Sequence, residues 1–177
     1  MDLKNLDLDC ERIPEILRTD EIIMINNLIT DPDNMVDVGL WEDDNKIKDV
    51  ELGGPELEIG RDEDYHQVKS RGLIETLIES MLPMECREDS NVLRLTSVLM
   101  AEIAQNQAFY EGNKRTAYVV GTLFLIKSQL FKGEEAIYPR LDREMTDKLA
   151  ALAIDNTGEK DTLSREQFQN YLRKRLS

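Results

Sequence analysis

The segment from Lys114 to Gln129 limits the choice of fold more than any other part of the chain. Read as a helix, it is apolar nearly all the way round, and such a helix belongs in the middle of a bundle. Its longest apolar run, Ala117 to Ile126, is about half the length that a bilayer-spanning helix needs. The segment therefore predicts a buried central helix, and we expect no membrane partner.

Segments with a helical apolar period lie on both sides of this central helix. Asp20 is the predicted N-cap of the first and Asn91 caps the third, while Ser164 and Gln167 form a capping-box pattern before the last. The predicted ranges are Glu21 to Ile29, Leu73 to Leu82 (ending near Pro83), Val92 to Asn106, Asp142 to Ala153 and the segment after Ser164. The stripes predicted to face the core include Ile22, Ile25, Leu28, Ile29, Leu73, Leu77, Leu95, Leu99, Met145, Leu149, Phe168 and Leu172. A single, mainly α-helical domain over residues 1–177 is expected.

One part of the chain loses the helical period. Residues 46–52 and 56–59 alternate polar and apolar side chains on either side of a Gly-Gly-Pro turn, which is typical of a β-hairpin. Its outward face is charged, so we expect a small, exposed hairpin attached to the bundle.

Charge and cysteine content narrow the classes of partner. The net charge is −14, and residues 1–70 hold 20 acidic and 7 basic side chains. That surface would repel nucleic acid, which leaves a basic protein partner or a solubilising role. Cys10 and Cys86 lack metal-site spacing and are interpreted as free thiols in a reducing compartment. Since no export signal is visible, a cytoplasmic location is expected.

The residues from Gln107 to Ala117 carry the candidate chemistry. Residues 107–113 are predicted to form a loop that leads into the central helix, and the first N–H groups of a helix attract anions. Gly112 would let a ligand approach the backbone, and Asn113 would cap the helix. Lys114 and Arg115 add cations suited to phosphate oxygens, and Glu111 offers a carboxylate of the kind that Mg²⁺ binds beside phosphates. An ordinary helix start with solvated cations is the alternative.

The loop also resembles the signature of the Fic/Doc superfamily, His-x-Phe-x-[Asp/Asn/Glu]-[Gly/Ala]-Asn-[Gly/Lys]-Arg. The matching positions are Phe109, Glu111, Gly112, Asn113, Lys114 and Arg115. Lys114 with Thr116-Ala117 is similar to the death-on-curing (Doc) branch, whereas AMP-transferring members usually have glycine there and a second arginine at the position of Tyr118. Arg71 to Glu75 and Asp155 to Leu172 are similar to Doc segments too, so the resemblance covers roughly residues 11–176.

The resemblance implies a helical Fic fold and the transfer of part of a nucleoside triphosphate, ATP or another, onto a hydroxyl of a target protein. Lys114 favours γ-phosphoryl transfer of the Doc toxin kind, while Gly112 keeps AMP transfer open. Glu111 would bind Mg²⁺, Gly112 and Asn113 would form the anion nest, and Lys114 and Arg115 would hold the phosphates. The hairpin would be the flap that aligns the target. The inhibitory helix of self-inhibited members is not found, so an antitoxin protein is the expected regulator, and the translation machinery is among the candidate targets.

The first motif position departs from the family. Gln107 stands where the resemblance places the histidine that acts as general base, and an amide cannot accept that proton. Three explanations remain open: an inactivating substitution, a naturally degenerate member, or an active variant in which Glu111 or a metal-bound water accepts the proton. His66, the one histidine in the sequence, lies far from the motif. The alternative to an enzyme is a Fic-fold adaptor or regulator that binds a nucleotide or a protein without turnover.

Overall fold

The computed structural model describes Leu3 and residues 6–30, 68–106, 108–153 and 163–177. These residues are mainly helical, as the apolar periods predict. After a 3-10 turn at Cys10–Arg12, the elements are α1 (Ile13–Ile16), α2 (Thr19–Thr30), α3 (Arg71–Thr76), a π-helical turn (Leu77–Met81), α4 (Leu82–Glu88), α5 (Val92–Asn106), α6 (Asn113–Phe131), α7 (Arg143–Ala153) and α8 (Arg165–Arg175).

Helix α6 is the central helix of the bundle. Its apolar residues Ala117, Val120, Phe124 and Leu125 are fully buried, and α5, α2 and α7 all pack against it. The prediction of a central helix is therefore confirmed, with bounds slightly wider than those expected from the sequence.

Helices α5 and α6 approach each other closely at one glycine. A Cβ atom on Gly121 would lie 2.3 Å from Cγ of Met100 on α5, well inside the separation of about 3.5–4.0 Å at which carbon atoms make their best contact. The missing side chain thus allows the two longest described helices to pack together.

Two predicted helix caps, at Asn91 and Ser164, are confirmed, and Asp142 forms a third cap that was not predicted. The side-chain oxygen of Asn91 accepts a hydrogen bond from the Arg94 amide at 3.1 Å, and Asp142 accepts one from the Met145 amide at 3.0 Å. Ser164 and Gln167 form the complete capping box of α8. These bonds satisfy N–H groups that have no partner within the helix.

The cap predicted for α2 is wrong. Asp20 lies in the first turn, and its carboxylate accepts a hydrogen bond from Arg71 at 2.8 Å. The Glu21 carboxylate instead accepts one from the Arg18 amide at 3.0 Å. Leu28 is also 52% exposed rather than part of the inward stripe, because the buried side of α2 runs through Ile22 and Asn26.

The helical segment around Pro83 does not end there as predicted. It continues through a π turn, in which the Leu82 amide donates to the Leu77 carbonyl, and then through α4 to Glu88. Proline lacks an amide hydrogen and its ring displaces the carbonyl four residues earlier, so the wider turn accommodates it. Leu73, predicted to face the core, is 42% exposed.

The prediction of free thiols is wrong as well. Cys10 and Cys86 form a disulfide bond that joins the 3-10 turn to α4. The cysteines are 76 residues apart in sequence, and packing of the chain start against α4 brings them together. The cytoplasmic location rested partly on free thiols, and it stays a prediction.

Several sequence predictions fall outside the described residues. These are the hairpin at residues 46–59, His66, Gln107 and part of the closing segment that begins at Asp155. Within the ranges that are described, no helix is long and apolar enough to cross a membrane.

Candidate functional site

The loop between α5 and α6 is fastened to the segment that precedes α3. The Ala108 carbonyl accepts hydrogen bonds from the amides of Lys69 at 2.8 Å and Ser70 at 3.0 Å, and Phe109 forms an antiparallel bridge with Val68. The Phe109 side chain is 1% exposed and anchors the loop in the core.

Asn113 closes the loop onto itself. Its Oδ1 accepts a hydrogen bond from the Phe109 amide at 3.1 Å, and its Nδ2 donates to the Phe109 carbonyl at 2.9 Å. Asn113 is the first residue of α6, and the N-cap is Gly112, which makes no side-chain cap. The prediction that Asn113 caps the helix is wrong, because its amide group bonds backward to the loop.

Gly112 takes up a left-handed backbone conformation, with φ of +73°. A Cβ atom there would lie 2.6 Å from Cγ2 of Thr30 and 3.3 Å from Nδ2 of Asn26, both on α2. The sequence suggested that the glycine makes room for a ligand. In the structure, the need for glycine comes from the positive φ angle and from the contact with α2.

Asn26 connects α2 to both sides of this turn. Its Nδ2 donates to the Glu111 carbonyl at 3.0 Å and lies 2.9 Å from Oγ1 of Thr116, and its side chain is fully buried. Sequence reasoning missed this residue. The available signal was a polar side chain four residues after Ile22, on the side of α2 that carries the apolar stripe.

The charged candidate residues flank Gly112. Glu111 precedes it, and Lys114 and Arg115 lie in the first turn of α6, whose first backbone bond runs from the Thr116 amide to the Gly112 carbonyl at 2.8 Å. Glu111 and Lys114 are half-buried, whereas Arg115 is 8% exposed. Nη1 of Arg115 donates to the Ile29 carbonyl at 3.4 Å, which connects α6 to the C-terminal turn of α2.

The comparisons with known proteins identify the family. A model of the Fic/DOC family matches residues 16–125. The chain belongs to the Fic/DOC family. The matched range contains α2, α5, the loop and most of α6, which together form the site described above. Comparison with curated proteins and with solved structures gave no match.

Tyr118 of this Fic/DOC protein is directed to another part of the bundle. Its hydroxyl donates to the Pro139 carbonyl, 2.8 Å away in the segment before α7. Burial raises the pKa of this hydroxyl above its usual value. Tyr118 therefore ties α6 to the segment that leads into α7, at the position where the resemblance gives AMP-transferring members a second arginine.

The oxygen ligands around the loop can be tested against the predicted Mg²⁺. No group of three or more His, Cys, Asp or Glu side chains is found among the residues with described positions. Mg²⁺ in nucleotide sites is commonly bound by only one or two carboxylates together with phosphate oxygens. Glu111, directly before the N-cap of α6, fits that ligand set, provided that the nucleotide supplies the remaining oxygens.

Proposed function

We propose that this Fic/DOC protein binds a Mg²⁺–nucleoside triphosphate at residues 111–115, and that its fold is built for Doc-like transfer of a phosphoryl group to a protein hydroxyl. The rate of transfer is reduced by Gln107 at the position of the general base. The start of α6 is the observation that carries the proposal. Gly112 turns the chain there without any side-chain cap, with an acidic residue before it and two basic residues after it.

The nature of this helix start supports binding of an anion. The amides of the first helical turn precede the first intrahelical bond, and they lie at the positive end of the helix dipole. Lys114 and Arg115 add two positive charges within the same turn. Because Arg115 is almost fully buried, its charge is less screened by solvent than that of a surface arginine. The backbone amides, Lys114 and Arg115 would all attract a phosphate chain bound at this end of the helix.

Each residue has a defined part in the proposed reaction. The oxygen of a target hydroxyl bonds to the γ-phosphorus, the bond from that phosphorus to the β–γ bridging oxygen breaks, and a nucleoside diphosphate leaves. Lys114 and Arg115 would hold the phosphates, and Glu111 would hold Mg²⁺, which would supply positive charge to the phosphoryl group. The hydroxyl proton must pass to a base, and the Gln107 amide cannot take it, which typically costs about 10²- to 10⁴-fold in rate.

Two observations favour phosphoryl transfer over AMP transfer. Lys114 occupies the position where AMP-transferring members usually have glycine. Tyr118 occupies the position of their second arginine, and its hydroxyl is bonded to the Pro139 carbonyl. One cation of the AMP-transferring pattern is thus replaced by a side chain with a structural bond.

A catalytically inactive adaptor or regulator is the second candidate, and Gln107 is the observation that favours it. The hydrogen bonds that shape the loop run through Asn26, Asn113 and backbone groups. We therefore expect a nucleotide site in this loop to persist without a histidine at position 107. The proposed partners of the enzyme are a target protein with an accessible hydroxyl and a separate antitoxin, whereas the adaptor would bind a nucleotide or a protein without turnover; the proposed location is the cytoplasm.

Calorimetric titration with ATP in the presence and absence of Mg²⁺ tests the pocket. We expect Mg²⁺-dependent binding to the chain with Gln107, and E111Q should lose the Mg²⁺ dependence because a neutral amide is a weaker ligand for a hard cation. E134Q is the matched control, since Glu134 lies in the exposed segment after α6. Absence of binding by the unsubstituted chain would remove both the enzyme and the nucleotide-sensor proposals.

Restoring the base tests the reaction. Q107H should arrest growth of the producing cells and transfer label from γ-labelled ATP to a protein, whereas Q107A should do neither. Transfer from α-labelled ATP would instead support AMP transfer. If Q107H binds nucleotide but moves neither label and cells grow normally, the enzyme proposal fails and the adaptor proposal stands.

A further inference from the structure

Asn26 bonds to the candidate loop from a distant part of the chain. It lies on α2, 85 residues before Glu111, and the Glu111 carbonyl accepts from its Nδ2 at 3.0 Å. The same nitrogen lies 2.9 Å from Oγ1 of Thr116. The two partners stand on either side of Gly112, so one buried amide group spans the left-handed turn.

The bond to Glu111 also sets the direction of a backbone amide. The Glu111 carbonyl and the Gly112 N–H belong to one peptide group, and in a trans peptide these two bonds point in opposite directions. Since the carbonyl points toward Asn26 on α2, the Gly112 N–H points away from α2. Rotation of this peptide plane would turn the N–H back toward α2 and remove it from the helix start.

The helix that carries Asn26 is itself held in place here. Oγ1 of Thr30 donates to the Asn26 carbonyl at 2.7 Å, and the Thr30 methyl group lies where a Cβ on Gly112 would clash. Nη1 of Arg115 reaches the Ile29 carbonyl. The C-terminal turns of α2 therefore pack directly against the loop and position it.

We infer that Asn26 is a positioning residue of the nucleotide site. It holds the Glu111–Gly112 peptide so that the Gly112 amide and the first turn of α6 face the phosphates, and it does not touch the nucleotide. This inference rests on the proposed function, because it assumes that the loop binds phosphate. The inference concerns the orientation of the Glu111–Gly112 peptide group, and hydrogen exchange can test that orientation without any ligand.

Asn26→Asp is the sharpest perturbation. It keeps the shape of the side chain but replaces the NH₂ donor with a carboxyl oxygen, which in its ionised form has no hydrogen to donate to the Glu111 carbonyl and so disfavours the present peptide orientation. Asn27→Asp is the matched control, since Asn27 is the next residue on α2 and is exposed. The two variants carry the same chemical change at buried and exposed positions of one helix.

Three measurements read the effect. In calorimetry, N26D should bind Mg²⁺–ATP about tenfold or more weakly, as expected from a buried carbonyl left without its donor, and N27D should bind within about twofold of the unsubstituted chain. In hydrogen exchange, the amides of residues 110–115 should exchange faster in N26D than in N27D, with those of α5 unchanged. Urea unfolding establishes that each variant is folded under the conditions of the binding measurement.

A second pair of variants covers the case in which N26D does not fold. T116V removes the hydroxyl beside Asn26, and T116S keeps it. T116V should weaken nucleotide binding about threefold or more, as expected from the loss of one hydrogen bond, and T116S should restore binding and slow loop exchange.

Equal affinity and equal loop exchange in N26D and N27D would overturn the inference, as would equal behaviour of T116V and T116S. If the unsubstituted chain binds no nucleotide, the proposed function fails. The exchange comparison then still decides whether Asn26 fixes the loop, so the two failures can be told apart.

Discussion

Gly112→Ala provides a sharp test of how the loop is built. Gly112 and Gly133 have the same φ angle of +73°, but their surroundings differ. A Cβ on Gly112 would lie 2.6 Å from Cγ2 of Thr30, whereas a Cβ on Gly133 would have no neighbour within 4 Å. Comparing G112A with G133A therefore separates the cost of the contact from the cost of the backbone conformation.

The magnitude follows from these two contributions. Placing an L residue in the left-handed region costs about 1–2 kcal/mol, and both variants incur that cost. In G112A, the Thr30 methyl group must also move by about 1 Å to reach normal contact distance. Rotating Thr30 away would break the 2.7 Å bond from its Oγ1 to the Asn26 carbonyl, so we expect an additional cost of about 1–3 kcal/mol, typical of overpacking.

Urea unfolding monitored by circular dichroism measures both variants. We expect the free energy of unfolding to fall by about 1–2 kcal/mol in G133A and by about 2–5 kcal/mol in G112A, with unchanged dependence on urea. In thermal unfolding, a chain of this size should lose about 2–4 °C for each kcal/mol.

Thr30→Ser completes the test, because it removes the methyl group and keeps the hydroxyl. In the T30S background, G112A should cost about as much as G133A, which gives a coupling of about 1–3 kcal/mol in a double-mutant cycle. Equal costs for G112A and G133A in the natural background, or a coupling near zero, would refute the argument from the Thr30 contact.

Three further predictions concern the surrounding bundle. K127M removes the cation 2.9 Å from the Glu21 carboxylate and should lower the free energy of unfolding by about 1–3 kcal/mol. Burial raises the Glu21 pKa, but the hydrogen bonds from Lys127 and Arg18 outweigh it, so the pKa lies below its usual value. The stability of the unsubstituted chain should therefore fall as the pH drops through that lowered pKa, and the same loss of stability with falling pH in K127M would contradict this assignment. G121A should destabilise the protein by about 1–3 kcal/mol despite better helix propensity, since its Cβ would overlap Met100, and it should be neutral or stabilising in an M100A background. Burial raises the Tyr171 pKa to about 12, so stability should fall as the pH rises from about 10 toward 12. In a spectrophotometric titration, the tyrosine that ionises near pH 12 should be missing from Y171F.

Much of the helical framework could be predicted from the sequence, because its signals are local. The predicted caps at Asn91 and Ser164 act on amides within three residues, and the apolar residues of α6 recur at the helical period. Predictions failed where a local sequence pattern was compatible with more than one structure. Asp20 and Glu21 could each serve the start of α2, and Pro83 could end a helix or be accommodated by a π turn.

The candidate site likewise has features that the sequence predicts and features that depend on the tertiary structure. The sequence by itself determined the chemical groups: a carboxylate, a glycine and two cations at the start of a central helix, with glutamine at the first motif position. It also carried the pattern by which the chain belongs to the Fic/DOC family.

Only the tertiary structure decided how those groups are held. The bond from Asn26 to Glu111 spans 85 residues, the disulfide between Cys10 and Cys86 spans 76, and the need for glycine at position 112 depends on Thr30 of another helix. Periodicity and capping reach only three or four residues along a chain. Contacts between distant residues exist only once the helices have packed, which is why the residues that shape this loop are found on α2.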